Sequence, residues 1–168
     1  RNNIGYQYTD CPLYWISVIY LNFAEAKAEM GSLTQDDLNN SINKLQARAG
    51  LPAMTTTPDA DPANNMGVSN LIWEIRRCRR CELIMDNWYR YWDLIRWHQL
   101  DKLDSTKYPN TMLGANVSNV PDCEEATKNG YIDASDAQIR TYEAKHYFYP
   151  IPTTQLTLNK NMKQNPGW

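Results

Sequence analysis

The stretch YWISVIYLNFAEAKAEMGSLTQDDLNNSINKLQARAGLP, residues 14–52, decides the fold because it contains two helix patterns with a stop signal between them. Apolar residues recur at helical spacing from Tyr14 to Met30, and the alanines there let another helix approach closely. Gly31 supplies a left-handed stop, and Thr34 is a good N-cap for the next helix. We therefore predict a helical hairpin with a very short turn. The predicted contact face of its first helix consists of Ile16, Ile19, Tyr20, Phe23, Ala24 and Ala28.

The second helix of the hairpin is predicted to begin behind Thr34 and to end at Gly50 and Pro52. Acidic residues follow Thr34 in the first turn, where the helix dipole favours negative charge. The predicted buried face of this helix consists of Leu38, Ile42, Leu45 and Ala49.

A second helical pair is predicted farther along the chain. Three prolines and a Thr triplet indicate a loop from Pro52 to Asn65. Helical spacing returns at Val68 and runs toward Asp86 and Asn87, and a fourth helix is predicted from Tyr89 to Leu103. Two antiparallel pairs of this length are what tetratricopeptide-type repeats supply. The sequence therefore predicts an all-α fold of tetratricopeptide-like helical hairpins with long loops.

The C-terminal part of the chain is predicted to contain less regular structure. Lys107–Gly130 is rich in Asn, Pro, Gly and Ser, which indicates a long loop, and a short helix is predicted from Ile132 to Tyr142. Prolines at positions 150, 152 and 166 argue against a regular helix from Tyr147 to Trp168. We predict an extended C-terminal strap in this segment, with Leu156 and Leu158 buried against the helices.

The composition and the net charge favour some classes of function and argue against others. The 168 residues include six Trp and eleven Tyr but only two Phe. Aromatic rings with a polar edge suit wet interfaces and sugar-stacking sites, although a helical core also uses them. The net charge of −2 provides no electrostatic case for nucleic-acid binding. No stretch approaches the roughly 18 to 20 apolar residues of a membrane-spanning helix.

The four cysteines are Cys11, Cys78, Cys81 and Cys123, and the sequence leaves their disulfide state open. Cys78 and Cys81 have CxxC spacing, but a redox pair belongs at a helix N-terminus and these two lie in the middle of a predicted helix. A zinc site would need two further ligands, and the two histidines, at positions 98 and 146, are isolated. We therefore predict structural cysteines, with no metal and no cofactor.

The sequence offers little for catalysis. Its adjacent acidic pairs lie in loops or first helical turns, where neighbouring side chains do not converge. It contains no nucleophile elbow, phosphate-binding loop or paired-histidine metal motif. We therefore expect a protein that is not an enzyme.

Four segments of the chain, taken in order, carry the resemblance to a known family. They are YLNFAEA at 20–26, LQARAGLP at 45–52, RRCEL at 79–83 followed by RYWDLIRW at 90–97, and YPIP at 149–152 followed by QNPGW at 164–168. Together they resemble the motifs of the SusD/RagB family. From the first to the last they extend over residues 20–168, which is most of the chain. Three departures concern local geometry: Cys78 replaces a usual Glu, the turn before Arg90 is longer, with Asn87 near the customary Gly, and Gln155 replaces a frequent Glu.

The resemblance implies a SusD-like fold of which residues 1–168 form the C-terminal portion, with the N-terminal portion absent from this chain. It also implies a lipoprotein exposed on the cell surface at the outer membrane of Bacteroidota, held by an N-terminal lipid anchor that is not in this chain. Its partners would be an oligosaccharide or other nutrient ligand and the SusC-like TonB-dependent transporter that receives it. Two other functions stay open, a helical-repeat scaffold that binds protein without binding glycan, and a hydrolase accessory domain or enzyme.

Charged residues of the third and fourth predicted helices form a candidate cluster. Such a cluster could bind an anion, but guanidinium and carboxylate groups on neighbouring helices more often lock the helices together. We predict a structural ion network of Arg79, Arg80, Glu82, Arg90, Asp93 and Arg96. The glycan-contact residues are unknown from the sequence, and the exposed aromatic candidates are Tyr6, Tyr8, Trp15, Trp73, Trp88 and Tyr89.

Overall fold

The computed structural model describes residues 14–86, 89–121, 127–133, 135 and 138–168, and the chain divides into two compact units, residues 1–90 and 91–168. The helices that begin in the first unit are α1 (Ile16–Glu29), α2 (Gln35–Asn39), α3 (Ile42–Arg48), α4 (Asn70–Glu82) and α5 (Tyr89–Arg96). The second unit adds the strands and the last helix, β1 (Leu113–Asn116), β2 (Thr127–Lys128), β3 (Tyr131–Asp133) and α6 (Thr153–Leu158). The mostly helical architecture confirms the predicted fold class, with a small sheet in addition.

The turn between α1 and α2 forms as the sequence predicts. Gly31 adopts φ +67°, a left-handed conformation that costs glycine little. Thr34 Oγ1 accepts a hydrogen bond from the Asp37 amide at 3.2 Å, and the Asp37 carboxylate accepts one from the Thr34 amide at 2.9 Å. This capping box satisfies two of the amides that a helix start leaves without partners.

The predicted second helix is interrupted. It consists of α2 and α3, with a break at Asn40 and Ser41. The Asn40 amide group donates to the Asp36 carbonyl at 2.9 Å, and the Ser41 hydroxyl donates to the Asp37 carbonyl at 2.6 Å. Such side chains compete with the backbone for the carbonyls of the preceding turn, so the helix is interrupted here. Three residues of the predicted face are nevertheless buried, Leu38, Ile42 and Leu45, whereas Ala49 is exposed.

The predicted contact face of α1 is wrong at three positions. Ile16, Ile19 and Phe23 are exposed. The face that enters the core is rotated around the helix from the predicted one: it keeps Ala24, with Tyr20 and Ala28 partly buried beside it, and adds Val18, Leu21 and Glu25. Both sides of α1 are apolar, and helical periodicity therefore could not distinguish the buried face from the exposed one.

Polar contacts establish that α1 and α3 run in opposite directions. Lys27, near the end of α1, pairs with Asp37 at the start of α2 at 2.9 Å. The Lys44 ammonium of α3 lies 5.4 Å from the ring centre of Tyr20, in the first half of α1. This order agrees with the predicted hairpin.

The contacts of α4 show that it runs antiparallel to α1 and parallel to α3. Arg76 pairs with Glu25, whereas Arg79, one turn later, donates to Asn22, one turn earlier. The Arg48 guanidinium of α3 pairs with the Glu82 carboxylate at the end of α4 at 2.5 Å. Hairpins joined by short turns would place α4 antiparallel to α3. The long connection from residue 49 to residue 69 instead returns the chain so that α4 lies alongside α3.

The α1–α4 contact contains a buried ion pair. Arg76 Nε donates to Glu25 Oε1 at 2.9 Å, and the two side chains are 10% and 2% exposed. A second guanidinium nitrogen of Arg76 lies 3.1 Å from Glu29, whose side chain is 48% exposed. The same two helices contribute to a hydrophobic core of Val18, Leu21, Ala24, Leu38, Ile42, Leu45, Met54, Ile75 and Leu83.

We expect Glu25→Gln to lower the free energy of unfolding by about 3 kcal/mol, because it leaves the Arg76 charge buried without its closest partner. Glu29→Gln is the matched control and should cost less than about 1 kcal/mol, because solvent screens the exposed pair. Urea denaturation of both variants measures the difference. Equal losses would show that burial does not decide the contribution of this pair.

The fourth predicted helix is shorter than expected. Regular α-helix ends at Arg96 instead of Leu103, and a 3₁₀ helix, Leu100–Leu103, follows. His98 interrupts the helix with φ +52°, a left-handed conformation that a non-glycine residue rarely adopts. The bend lets Trp97 and Leu100 be buried in the second unit.

The predicted long loop contains two short strands, β1 and β2, which form a three-stranded antiparallel sheet of order β1-β3-β2 with β3 at the start of the predicted helix from Ile132 to Tyr142. Asn129 and Gly130 both have positive φ and connect β2 to β3 as a two-residue turn. This geometry suits a right-twisted hairpin and favours an Asn-Gly pair. The prediction of a helix over 132–142 is therefore wrong, because Tyr131–Asp133 pair as a strand.

Asp104 organises the loops of the second unit. Its carboxylate accepts hydrogen bonds from the Thr106 hydroxyl at 2.5 Å, from the Thr106 amide at 2.9 Å and from the Tyr142 amide at 3.1 Å. The Thr106 hydroxyl first, and then the Tyr142 amide, lower the pKa of Asp104 from its usual 3.8 to about 2. The carboxylate thereby joins two segments that are far apart in sequence.

The Asp104 carboxylate should make the free energy of unfolding depend on pH in the acid range. Its pKa is lower in the folded state, so the unfolded chain binds more protons as the pH falls from about 4 to about 2. The stabilisation is complete above pH 4 and is lost over that window. In urea denaturation across pH 2 to 5, Asp104→Asn should flatten the decline, and an unchanged slope would contradict the role assigned to Asp104.

The closing segment folds back on itself, which differs from the predicted extended strap. The Gln164 side chain forms two hydrogen bonds with the Ile151 backbone. It accepts one from the Ile151 amide at 2.8 Å and donates one to the Ile151 carbonyl at 3.0 Å. Helix α6 follows Pro152, because proline is tolerated at a helix start. Leu156 is half-buried, but the prediction for Leu158 is wrong because its side chain is 81% exposed.

Candidate functional site

The residues of the predicted ion network lie on two helices. Arg79, Arg80 and Glu82 are on α4, and Arg90, Asp93 and Arg96 are on α5. In the first unit, Arg79 donates to Asn22 at 2.8 Å, Glu82 pairs with Arg48, and Arg80 is exposed. In the second unit, Arg96 pairs with Asp93 at 3.3 Å. A network that joins all six residues stays a prediction.

Sequence reasoning missed the acidic partners in α1. Glu25 belongs to a series with Val18, Leu21 and Ala28, at helical spacing on the buried face. A carboxylate in an apolar series needs a cationic partner, and that spacing was the available signal. The arginines of α4 supply this partner.

Asp93 is the most buried carboxylate among the six residues, with its side chain 7% exposed. We expect Asp93→Ala to lower the free energy of unfolding by about 1 kcal/mol, because it removes an ion pair whose Arg96 side chain is 45% exposed and stays solvated. Ligand affinity per folded molecule should not change. Asp59→Ala, at an exposed loop position, is the control and should change stability by less than about 0.5 kcal/mol. Loss of binding at an unchanged melting temperature would contradict the structural role.

Cys78 and Cys81 are free thiols in the C-terminal half of α4, far from its N-terminus. Burial raises the pKa of Cys78 to about 11, and its sulfur lies 3.3 Å from the Gln46 side-chain amide, which donates to it. A protonated thiol at neutral pH is a poor nucleophile and a poor metal ligand. Within the described ranges, no group of three or more His, Cys, Asp or Glu could hold a metal ion. Cys11 and Cys123 lie outside those ranges.

The aromatic candidates have different environments. Trp73 is half-buried and its indole N–H donates to Asp61 at 3.0 Å, and Tyr89 is half-buried with the Arg79 guanidinium 5.8 Å from its ring centre. Trp15 is 49% exposed. The other three candidates, Tyr6, Tyr8 and Trp88, lie outside the described residues.

Trp15 borders an open cleft of about 420 Å³ in the first unit, and we call it the Trp15 cleft. Its other lining residues are Ser17, Arg48, Glu82, Leu83 and Asp86. It combines an apolar ring with a guanidinium, two carboxylates and a hydroxyl, which is a set that can stack on a ring and hydrogen-bond hydroxyl groups. A larger groove of about 530 Å³ beside Pro52–Asp59 has no aromatic side chain in its lining.

Comparison with known proteins agrees with this helical architecture. A sequence model of the SusD family matches residues 1–168. The chain belongs to the SusD family. A solved SusD-like protein from Bacteroides fragilis is similar to 90% of this chain at 25% identity, with a TM-score of 0.59. No curated protein matches the chain.

The family assignment confirms the resemblance carried by the four sequence segments. This chain spans about a quarter of the length of the solved Bacteroides fragilis protein, because the similarity covers 25% of that protein. Among the described residues, no helix is both long enough and apolar enough to cross a membrane.

Proposed function

We propose that this SusD family chain is part of a cell-surface lipoprotein that captures nutrient oligosaccharides without turning them over. In this proposal, a SusC-like TonB-dependent transporter in the outer membrane receives the captured ligand. A lipid anchor outside this chain holds the protein at the membrane. The observation that supports the proposal is the family match over residues 1–168.

The described residues are consistent with capture in preference to catalysis. Three of their carboxylates hold the scaffold together: Glu25 pairs with Arg76, Glu82 with Arg48, and Asp104 accepts from loop amides. A glycosidase needs two carboxyl groups that face each other across a glycosidic bond. Glu82 and Asp86 do share the Trp15 cleft, but Glu82 already accepts both hydrogen bonds of the Arg48 guanidinium.

We propose the Trp15 cleft as one contact for the sugar. The exposed indole supplies a flat apolar face for a pyranose ring, and the exposed Arg48 guanidinium and Asp86 lie in the same cleft to bond its hydroxyl groups. The Arg48–Glu82 pair holds the polar side of the cleft in place by bridging α3 and α4.

Affinity electrophoresis of the complete gene product through gels that contain single polysaccharides tests this function. At least one polysaccharide should retard the protein, and reducing sugar should not be released on long incubation. Trp15→Ala should weaken that retardation about tenfold, the magnitude expected for one lost aromatic stacking contact.

Phe148→Ala is the matched control, because Phe148 is also an exposed aromatic residue but lies in the second unit. It should leave retardation unchanged. Equal effects of both substitutions would remove the Trp15 cleft as a contact. Release of reducing sugar would contradict capture without turnover, and co-purification with the transporter without any glycan binding would favour the scaffold function.

A further inference from the structure

Helix α1 carries an exposed apolar seam on the side that faces away from the core. The side chains of Ile16, Ile19 and Met30 are 61%, 55% and 70% exposed, and that of Phe23 is 42% exposed. Ala26 is also exposed between them. We call these five residues the outer seam. At about 100° per residue they lie opposite Leu21 and the rest of the buried face.

The spacing of the outer seam suits a helix as its partner. Ile16, Phe23 and Met30 are seven residues apart, and Ile19 and Ala26 form a second series seven apart. This is the a and d pattern by which one helix inserts side chains between those of another. The small Ala26 lets the two backbones approach closely. A helix with apolar residues on two opposite sides can pack between two layers of a larger domain.

A second observation concerns the source of that helix. The solved Bacteroides fragilis SusD-like protein has much more chain than the part that matches these residues, since only 25% of it is covered. In helical-repeat folds, elements that are neighbours in sequence pack against each other. The sequence motifs predict that these residues form the C-terminal portion of the domain, so a helix of the preceding repeat is the expected neighbour.

We propose that the outer seam is the docking surface for a helix of the N-terminal portion of the SusD-like domain. The seam then becomes the second half of the core, and α1 is the central helix between two layers. This inference depends on membership of the SusD family and is independent of glycan capture. A protein that binds no polysaccharide would leave it intact.

The test compares one double substitution in two contexts. Ile19→Ser with Phe23→Ser is introduced into the 168-residue chain and into the complete gene product. In the short chain both side chains are exposed, so the unfolding midpoint should shift by less than about 2 °C. In the complete product the midpoint should fall by about 5 °C or more, because two large apolar side chains leave a core.

Ile84→Ser with Ile139→Ser is the matched control, because both isoleucines are more than 70% exposed and neither belongs to α1. It should leave both midpoints unchanged. In the short chain, the seam variant should also bind less of a dye that fluoresces on apolar surfaces. Its dye fluorescence should therefore be lower than that of the control variant.

Four outcomes would overturn the proposal. A gene that encodes no residues before Arg1 would remove the occupant. An unchanged midpoint of the complete product would show that nothing of the same chain covers the seam. A concentration-dependent dimer of the complete product, abolished by the seam variant, would assign the surface to a second copy. Loss of transporter co-purification at an unchanged midpoint would assign it to the transporter.

Discussion

The buried ion pair between Glu25 and Arg76 is the interaction on which the first unit depends. Two opposite charges can be buried together only when they contact each other, so the pair selects a single antiparallel register of α1 against α4. One turn away, the Asn22–Arg79 hydrogen bond agrees with that register. Among described residues, every buried side-chain nitrogen or oxygen has a hydrogen-bond partner, so the apolar core packs around a satisfied polar contact.

The motifs that identify the SusD family are also the ones that hold the scaffold together. The segment YLNFAEA contributes Asn22 and Glu25, and the segment RRCEL contributes Arg79 and Glu82. In the closing motif, the Gln164 side chain hydrogen-bonds the Ile151 backbone, and the Trp168 indole N–H donates to the carbonyls of residues 145 and 148. The side chains of these residues bond to other parts of the scaffold. The motifs therefore identify the fold without identifying the ligand.

Some of the structure was within reach of the sequence but was missed. Asn129-Gly130 is the strongest short signal for a hairpin, and it connects β2 to β3. The surrounding Asn, Pro and Ser suggested a loop and obscured it. The break between α2 and α3 has a local cause in Asn40 and Ser41, whose side chains bond the preceding turn.

The sequence by itself determined the turn between α1 and α2 and the end of α3, because Gly31, Thr34 and Gly50 act within one turn of their own positions. It also determined the family, because four motifs in order are a property of the chain alone. Only the tertiary structure decided which face of α1 enters the core and which arginine meets Glu25. Helix α1 is apolar on both sides, and Arg76 lies 51 residues from Glu25, so neither choice has a local signal. Both were made by the packing of α4 against α1, where a buried charge requires an opposite charge as its neighbour.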